Sequence, residues 1–253
     1  MSSVGFAGVA KAFGGHAALT GIDLDIGAGS FVALIGTSGS GKTTLLKTIN
    51  RLVVPDAGTV SVDGVDVTAT DAVTLRRGIG TVFQNVGLFP HLDVAANIAS
   101  VPRLLGWDRA RQAARVVELL DLVDLPGAVA TRMPAELSGG QRQRVGVARA
   151  LAAAPRLMLL DEPFGALDPT TRDALATRYR QLHDRLGLTS IMVTHDVQEA
   201  LLLADRIVVL RAGRVVADAT PAALLAGAGD IGVAAMIAVP RDQARRLAEM
   251  ARG

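Results

Sequence analysis

The chain has 253 residues, half of them apolar, a fifth charged and 3% aromatic, with 26 basic against 24 acidic residues for a net charge of +2. That size makes one domain or two closely joined ones around a real core, and the apolar share excludes disorder. The lack of cysteine excludes disulfides, thiolate zinc sites and thiol nucleophiles, and scattered arginines with so few aromatics speak against a nucleic-acid surface.

The opening MSSVGFAGVAKAF has neither the charged start nor the apolar stretch of a secretory signal. Val4–Ala10, Ile22–Ile26, Gly58–Val62 and Asp66–Val67 are short runs broken by Gly and Asp, which predict a small antiparallel β layer with turns such as Asp63-Gly64. Phe31–Ile35, Arg156–Asp161, Ser190–Thr194 and Arg206–Leu210 read as buried strands, and their alternation with helical patterns predicts a largely parallel sheet with helices on both faces. Residues 97–153 show helical patterns and no strand. Arg109–Leu122 places Ala113, Val116, Val117 and Leu120 on one face. The expected organisation is a single α/β domain over 1–253. Its core takes residues 1–96 and 154–220, a helical insertion takes 97–153, and a short helical tail takes 221–253. Within the tail, Ala222–Val239 is the most apolar stretch, but Asp230 and its glycines predict surface helix and loop, not a membrane span.

Three motifs carry chemistry. Gly36-Thr-Ser38-Gly39-Ser40-Gly41-Lys42-Thr43 follows the strand Phe31–Ile35 and opens a helix over Lys42–Asn50, the G-x-x-x-x-G-K-[ST] phosphate loop in its required context. Its glycines let backbone N–H groups turn inward around an anion, and the helix N-terminus adds free donors. In this pattern Lys42 reaches the β- and γ-phosphates and Thr43 ligates Mg²⁺. Leu157–Pro163 then delivers two adjacent carboxylates at a strand's C-terminal end, Asp161 for Mg²⁺ and Glu162 to polarise an attacking water as general base. In Leu137–Val145, Ser138 and Gln141 fit a capping box. Gly139 and Gly140 leave that helix start bare, and Arg142 and Arg144 beside it suggest an anion partner.

Together these residues resemble the nucleotide-binding subunit of an ATP-binding-cassette (ABC) transporter, whose signature is LSGGQ. The resemblance covers nearly the whole chain. It implies a P-loop NTPase core of ABC type, with an antiparallel β layer and an inserted helical subdomain, that hydrolyses ATP with Mg²⁺. It implies that Phe13 stacks on adenine and that Gly36, Ser38, Gly39, Ser40, Gly41, Lys42, Thr43 and Thr44 hold the phosphates. It further implies that Gln84 contacts Mg²⁺ and the water beside Thr43 and Asp161, and that His195 contacts the γ-phosphate. Ser138, Gly139, Gly140 and Gln141 would close over ATP held by a second copy, giving a homodimer around two ATP molecules, with Asp168 in the loop that communicates across it. Implied partners are integral membrane permease subunits, docked near Gln84–Asn97, and indirectly a solute-binding protein. The implied location is peripheral, on the cytoplasmic face of the membrane.

The stretches Lys47–Leu52, Val54–Gly58, Val86–Leu92 and Val101–Trp107 are similar to the ATPases of osmoprotectant importers, which take up glycine betaine, choline and related quaternary amines. Methionine and polar amino-acid importers have similar cassettes. Two departures are visible. Thr37 stands where the phosphate loop commonly has proline, and the paired regulatory domains that many osmoprotectant ATPases append are not expected in the sequence up to Gly253. A non-transport ABC ATPase is disfavoured by the single phosphate loop and the absence of heptad arrays and zinc cysteines. A dead site is disfavoured by the presence of Lys42, Gln84, Glu162 and His195.

Overall fold

The computed structural model describes residues 2–250; the expected tail's last residues, 251–253, lie outside the described residues. In chain order the elements are β1 (Val4–Phe13), β2 (His16–Ile26), β3 (Phe31–Ile35), α1 (Lys42–Ile49), β4 (Ala57–Val62), β5 (Val65–Asp66), α2 (Ala72–Gly78) and β6 (Ile79–Val82). Then come α3 (Val94–Ile98), α4 (Ser100–Leu104), α5 (Arg109–Leu122), α6 (Gly139–Leu151), β7 (Leu157–Asp161), α7 (Pro169–Leu186), β8 (Thr189–Val193) and α8 (Val197–Leu203). The chain closes with β9 (Arg206–Arg211), β10 (Arg214–Ala219), α9 (Pro221–Leu225) and α10 (Ile231–Met250).

Two sheets form. The larger runs β10-β9-β3-β8-β7-β6, parallel from β9 to β6, with β10 antiparallel at its edge. The smaller, β2-β1-β4-β5, is antiparallel. Alternate residues of β3 supply two cores. Val32 and Leu34 pack with Phe6, Leu24, Val60 and, from α1, Leu45. Phe31, Ala33 and Ile35 pack with Leu119, Val145, Leu175 and Leu203 from the helices. Burial on both faces is why the central strands read as unbroken apolar runs. Helices therefore cover both faces, as expected, but α1 shares its face with the antiparallel sheet.

The differences from expectation have local causes. The β1–β2 hairpin extends past Ala10 and begins again at His16, because its tip is exposed and held by backbone pairing such as Phe13 with His16, which leaves no apolar alternation to read. It turns at Gly14-Gly15, both at positive φ. The Asp63-Gly64 turn forms between Val62 and Val65, again with both residues at positive φ. β5 is Val65–Asp66, one residue earlier than read. β6 lacks the unbroken apolar run of the other core strands because glycine interrupts it; a Cβ on Gly80 would lie 2.3 Å from Met158 Sδ and 2.6 Å from the Ala150 carbonyl. β10 escaped because it is a half-exposed edge.

Helix begins at Val94, ahead of 97, where the Asp93 side chain accepts from the Ala96 N–H at 2.7 Å. Among the described residues no strand lies between α3 and α6. Ala222–Val239 is surface helix and loop, as expected: most of it is exposed, and Leu224, Val233 and Ile237 turn inward where α10 packs on α8 and α9. Asp230, at the start of α10, pairs with Arg211. Among the described residues no helix is long and apolar enough to cross a membrane.

Candidate functional site

β3 ends at Ile35, and the chain turns through Gly36–Gly41 into α1. A Cβ on Gly36, at φ 149°, would lie 2.1 Å from the Leu210 carbonyl, and one on Gly41, at φ 102°, 2.4 Å from that of Ala18. Glycine is therefore required at both ends of the loop, by backbone conformation and by space. Gly41 is the N-cap of α1, with no side chain bonded to the helix start and no acidic residue in the first turn. The free N–H groups and the positive helix end face a cavity of about 570 Å³, lined also by Ser38, Gly39, Ser40, Thr43, Thr44 and Ala18.

Lys42 is buried, and its ammonium donates to the Gly36 and Thr37 carbonyls at 2.8 and 2.9 Å. Burial pulls its pKa down, against the opposing charges of Glu162 and Asp161. Asp161, at the end of β7, is buried and accepts from Thr43 Oγ1 at 2.9 Å. Burial raises its pKa despite that bond and the lysines nearby. A hydroxyl and a carboxylate joined at a phosphate cavity are the hard oxygen donors that Mg²⁺ takes, so the residues fit that ion.

Glu162 follows at φ 49°, a left-handed conformation uncommon for a residue with a side chain. Its N–H donates to the Val193 carbonyl at 2.9 Å, fixing the turn against β8. Its two carboxylate oxygens face different elements: Gln84 Nε2 donates to Oε2 at 3.3 Å, and His195 Nδ1 lies 3.4 Å from Oε1. All three side chains line the cavity. Gln84 is thus engaged with Glu162, while Thr43 and Asp161 pair with each other.

Other residues named from the sequence lie elsewhere. Phe13 is at the β1–β2 hairpin tip, 49% exposed, with the Lys11 ammonium 5.3 Å from its ring centroid. Ser138 caps α6, accepting from Gln141 N–H at 3.1 Å, and Gln141 Oε1 accepts from Ser138 N–H at 2.9 Å, so the capping box forms. Gly139 and Gly140 are the first two residues of α6. Asp168 caps α7 and accepts from the Thr171 N–H at 3.0 Å; that bond holds its carboxyl below the usual range. None of these six lines the phosphate cavity.

The suggestion that Arg142 and Arg144 face an anion is corrected. Arg142 donates to the Leu137 carbonyl at 2.5 Å and Arg144 to that of Asp124 at 2.6 Å, so both bind the helical layer's own backbone. Two contributors went unread. Ala18 lines the cavity from the hairpin. Gln143 is buried on α6 and donates to the Pro163 carbonyl at 2.6 Å. No pattern in the sequence marks either.

The family described as ABC transporter matches residues 19–165. The glycine betaine/carnitine/choline transport ATP-binding protein OpuCA of Bacillus subtilis is 52% identical over 212 residues, covering 84% of this chain and 56% of that protein. The glycine betaine uptake system ATP-binding protein YehX of Escherichia coli is 50% identical, over 87% of this chain and 71% of that protein. The sulfate/thiosulfate import ATP-binding protein CysA of Caulobacter vibrioides is 52% identical, over 84% of this chain and 63% of that protein. The chain spans little more than half the length of several curated relatives it matches, 56% and 57% for the first two. Among solved structures, a dimeric ATP-binding cassette in a post-hydrolysis state bound to ADP and Pi superposes with a TM-score of 0.80 at 34% identity, over 86% of this chain and 98% of that one. With its phosphate loop, its paired carboxylates and its capped LSGGQ helix in one fold, the chain belongs to the ABC transporter family.

Proposed function

We propose that this chain is the ATP-hydrolysing motor of an ABC importer that takes up a quaternary amine such as glycine betaine or choline. The observation that carries the catalytic reading is the position of Glu162, lining the cavity within reach of both Gln84 and His195. ATP phosphates fit the cavity lined by Gly36, Ser38, Gly39, Ser40, Gly41, Lys42, Thr43 and Thr44. Lys42 would leave the loop carbonyls for the β- and γ-phosphates. Glu162 accepts a proton from the attacking water, Gln84 orients that water, and His195 donates to the γ-phosphate. Thr43 and Asp161, with Gln84 brought over from Glu162, would hold Mg²⁺, which neutralises phosphate charge when bound. Phe13 would carry the adenine.

Ser138, Gly139, Gly140, Gln141 and Asp168 complete the site of a second copy, in keeping with their absence from this chain's own cavity. Two chains would enclose two ATP molecules, close on binding and open after hydrolysis. The permease would dock on the groove of about 470 Å³ between core and helical layer, lined by Phe83, Phe89, His91, Leu92 and Leu104. It overlaps the expected segment Gln84–Asn97 and carries exposed Phe83, Phe89 and Leu104. A solute-binding protein would deliver the solute to that permease, and the chain would sit peripherally on the cytoplasmic face. The quaternary-amine assignment is supported by the names of OpuCA and YehX. Sulfate and amino acids are the competing cargoes, the former because of CysA.

Uptake of labelled glycine betaine, choline, sulfate and methionine in cells carrying the native gene cluster tests both levels. We expect Glu162→Gln to abolish uptake of the first two alone. Unchanged uptake of all four with an active wild-type ATPase would keep the motor and discard the cargo. Wild-type ATPase rates in Glu162→Gln would discard the base.

A further inference from the structure

Helix α6 is capped at its own start and tied to neighbouring segments along its length. Its N-terminus is capped by Ser138. Near its other end Arg149 donates to the Val86 and Gly87 carbonyls at 2.6 and 2.7 Å, and a Cβ on Gly146 would lie 2.4 Å from Val86 Cγ1, so the helix is seated on the loop that follows Gln84. Between them lies Gln143, five residues past the cap and so about 7.5 Å along the axis. Its side chain is 1% exposed, and its amide Nε2 donates to the Pro163 carbonyl at 2.6 Å and the Glu162 carbonyl at 3.3 Å.

Those two carbonyls belong to the turn in which Glu162 is held at positive φ. A strained backbone persists only where its surroundings fix it from several sides. Here the Glu162 N–H is tied to β8 through Val193, and its carbonyl accepts from the Gly165 N–H at 3.4 Å and, from α6, from Gln143.

We propose that Gln143 is a positioning residue for Glu162: its amide, reaching across from α6, sets the backbone turn that aims the carboxylate into the phosphate cavity. Gln143 touches neither nucleotide nor water; it acts through the turn. The idea rests on the ATPase reading above.

Two substitutions of similar shape test it in the purified protein. Gln143→Met keeps the length and removes the donor. Gln143→Glu removes the donor when ionised and restores an O–H donor when protonated, and burial favours the protonated form. Steady-state ATPase assays should show kcat for Gln143→Met reduced about tenfold, with KM for ATP and nucleotide-analogue binding within about twofold of wild type. For Gln143→Glu, kcat relative to wild type should rise as pH falls from 8.5 to 6, a recovery that general loosening of the fold would not produce. If Gln143→Met does not fold, the Gln143→Glu profile decides alone. Either kcat within twofold of wild type in the folded Gln143→Met variant, or a Gln143→Glu to wild-type ratio flat with pH, would overturn the proposal while leaving the ATPase intact. A wild-type protein without ATPase activity would instead overturn the proposed function, and with it any base to position.

Discussion

Thr43 Oγ1 donates to Asp161 Oδ1 at 2.9 Å, joining the first turn of α1 to the end of β7 across 118 residues of chain. The pair sits where burial raises the Asp161 pKa above its ordinary value, so the fold disfavours the ionised carboxylate. Asp161→Asn should therefore raise the unfolding midpoint of the nucleotide-free protein, by about 2–4 °C for each kcal/mol relieved. The same variant should lose Mg²⁺-dependent ATPase activity by two orders of magnitude or more, roughly the scale of a lost electrostatic contact in catalysis. Differential scanning calorimetry beside an ATPase assay checks both; a lowered midpoint would contradict the strained-carboxylate account.

Lys42 fills its own loop, held by the Gly36 and Thr37 carbonyls. Lys42→Ala should leave the loop glycines and the cavity in place and weaken ATP binding at least tenfold, about 1.4 kcal/mol, as read by equilibrium titration with a fluorescent ATP analogue. Unchanged affinity would remove Lys42 from phosphate recognition. Gly36→Ala is the sharper structural probe. With the Leu210 carbonyl 2.1 Å from the new Cβ, the variant should be destabilised by about 3 kcal/mol or more, or fail to fold.

Ser138 has a local role and a proposed remote one, and they separate by magnitude. Losing the cap on α6 costs about 1 kcal/mol, which Ser138→Ala should show in urea unfolding of the single chain. If Ser138 also completes the site of a second copy, ATPase activity should fall far more than that loss of stability explains, and nucleotide-driven dimerisation in the Glu162→Gln background should weaken in light scattering. A stability loss with normal dimerisation would leave only the cap.

His183 predicts a pH dependence. It is 1% exposed on α7, its Nδ1 lies 3.0 Å from Ser190 Oγ, and that oxygen lies 2.8 Å from the Tyr179 hydroxyl. Burial, helped by the Arg180 charge, holds its pKa below 6.5, against weaker opposite effects of Asp184, Asp205 and a bond with Gly29. The unfolded chain then takes up the proton first. This contribution to stability is full above about pH 6.5 and is lost as pH falls below it. Urea midpoints should decline from pH 7.5 to 5.5, and His183→Gln should flatten that decline. Equal slopes for the two proteins would exclude His183 as its source.

The reach of the sequence varied with burial and with how local each feature is. The phosphate loop, the Asp161-Glu162 pair and the capping box of Ser138 with Gln141 were legible because each is set by neighbours within a few residues. The four central strands were legible because burial on both faces leaves an unbroken apolar run. β6 shows no unbroken apolar run because Met158 and the Ala150 carbonyl demand a glycine there, and the hairpin tip shows no alternation because its pairing is exposed. Arg142 and Arg144 misled because an arginine's charge is visible in sequence while the carbonyls it satisfies are not.

By itself the sequence determined the chemical inventory: which residues form an anion-binding loop, which carboxylates end a strand, which helix starts bare. Only the tertiary structure decided which of them meet. Lys42, Gln84, Glu162 and His195 share one cavity, while Ser138, Asp168 and Phe13 do not line it. Gln143 became visible only when α6 lay against the Glu162 turn. The reason is physical: local conformation follows from short-range sterics and hydrogen bonding, whereas contact between distant segments is set by how the two cores on either face of the parallel sheet close.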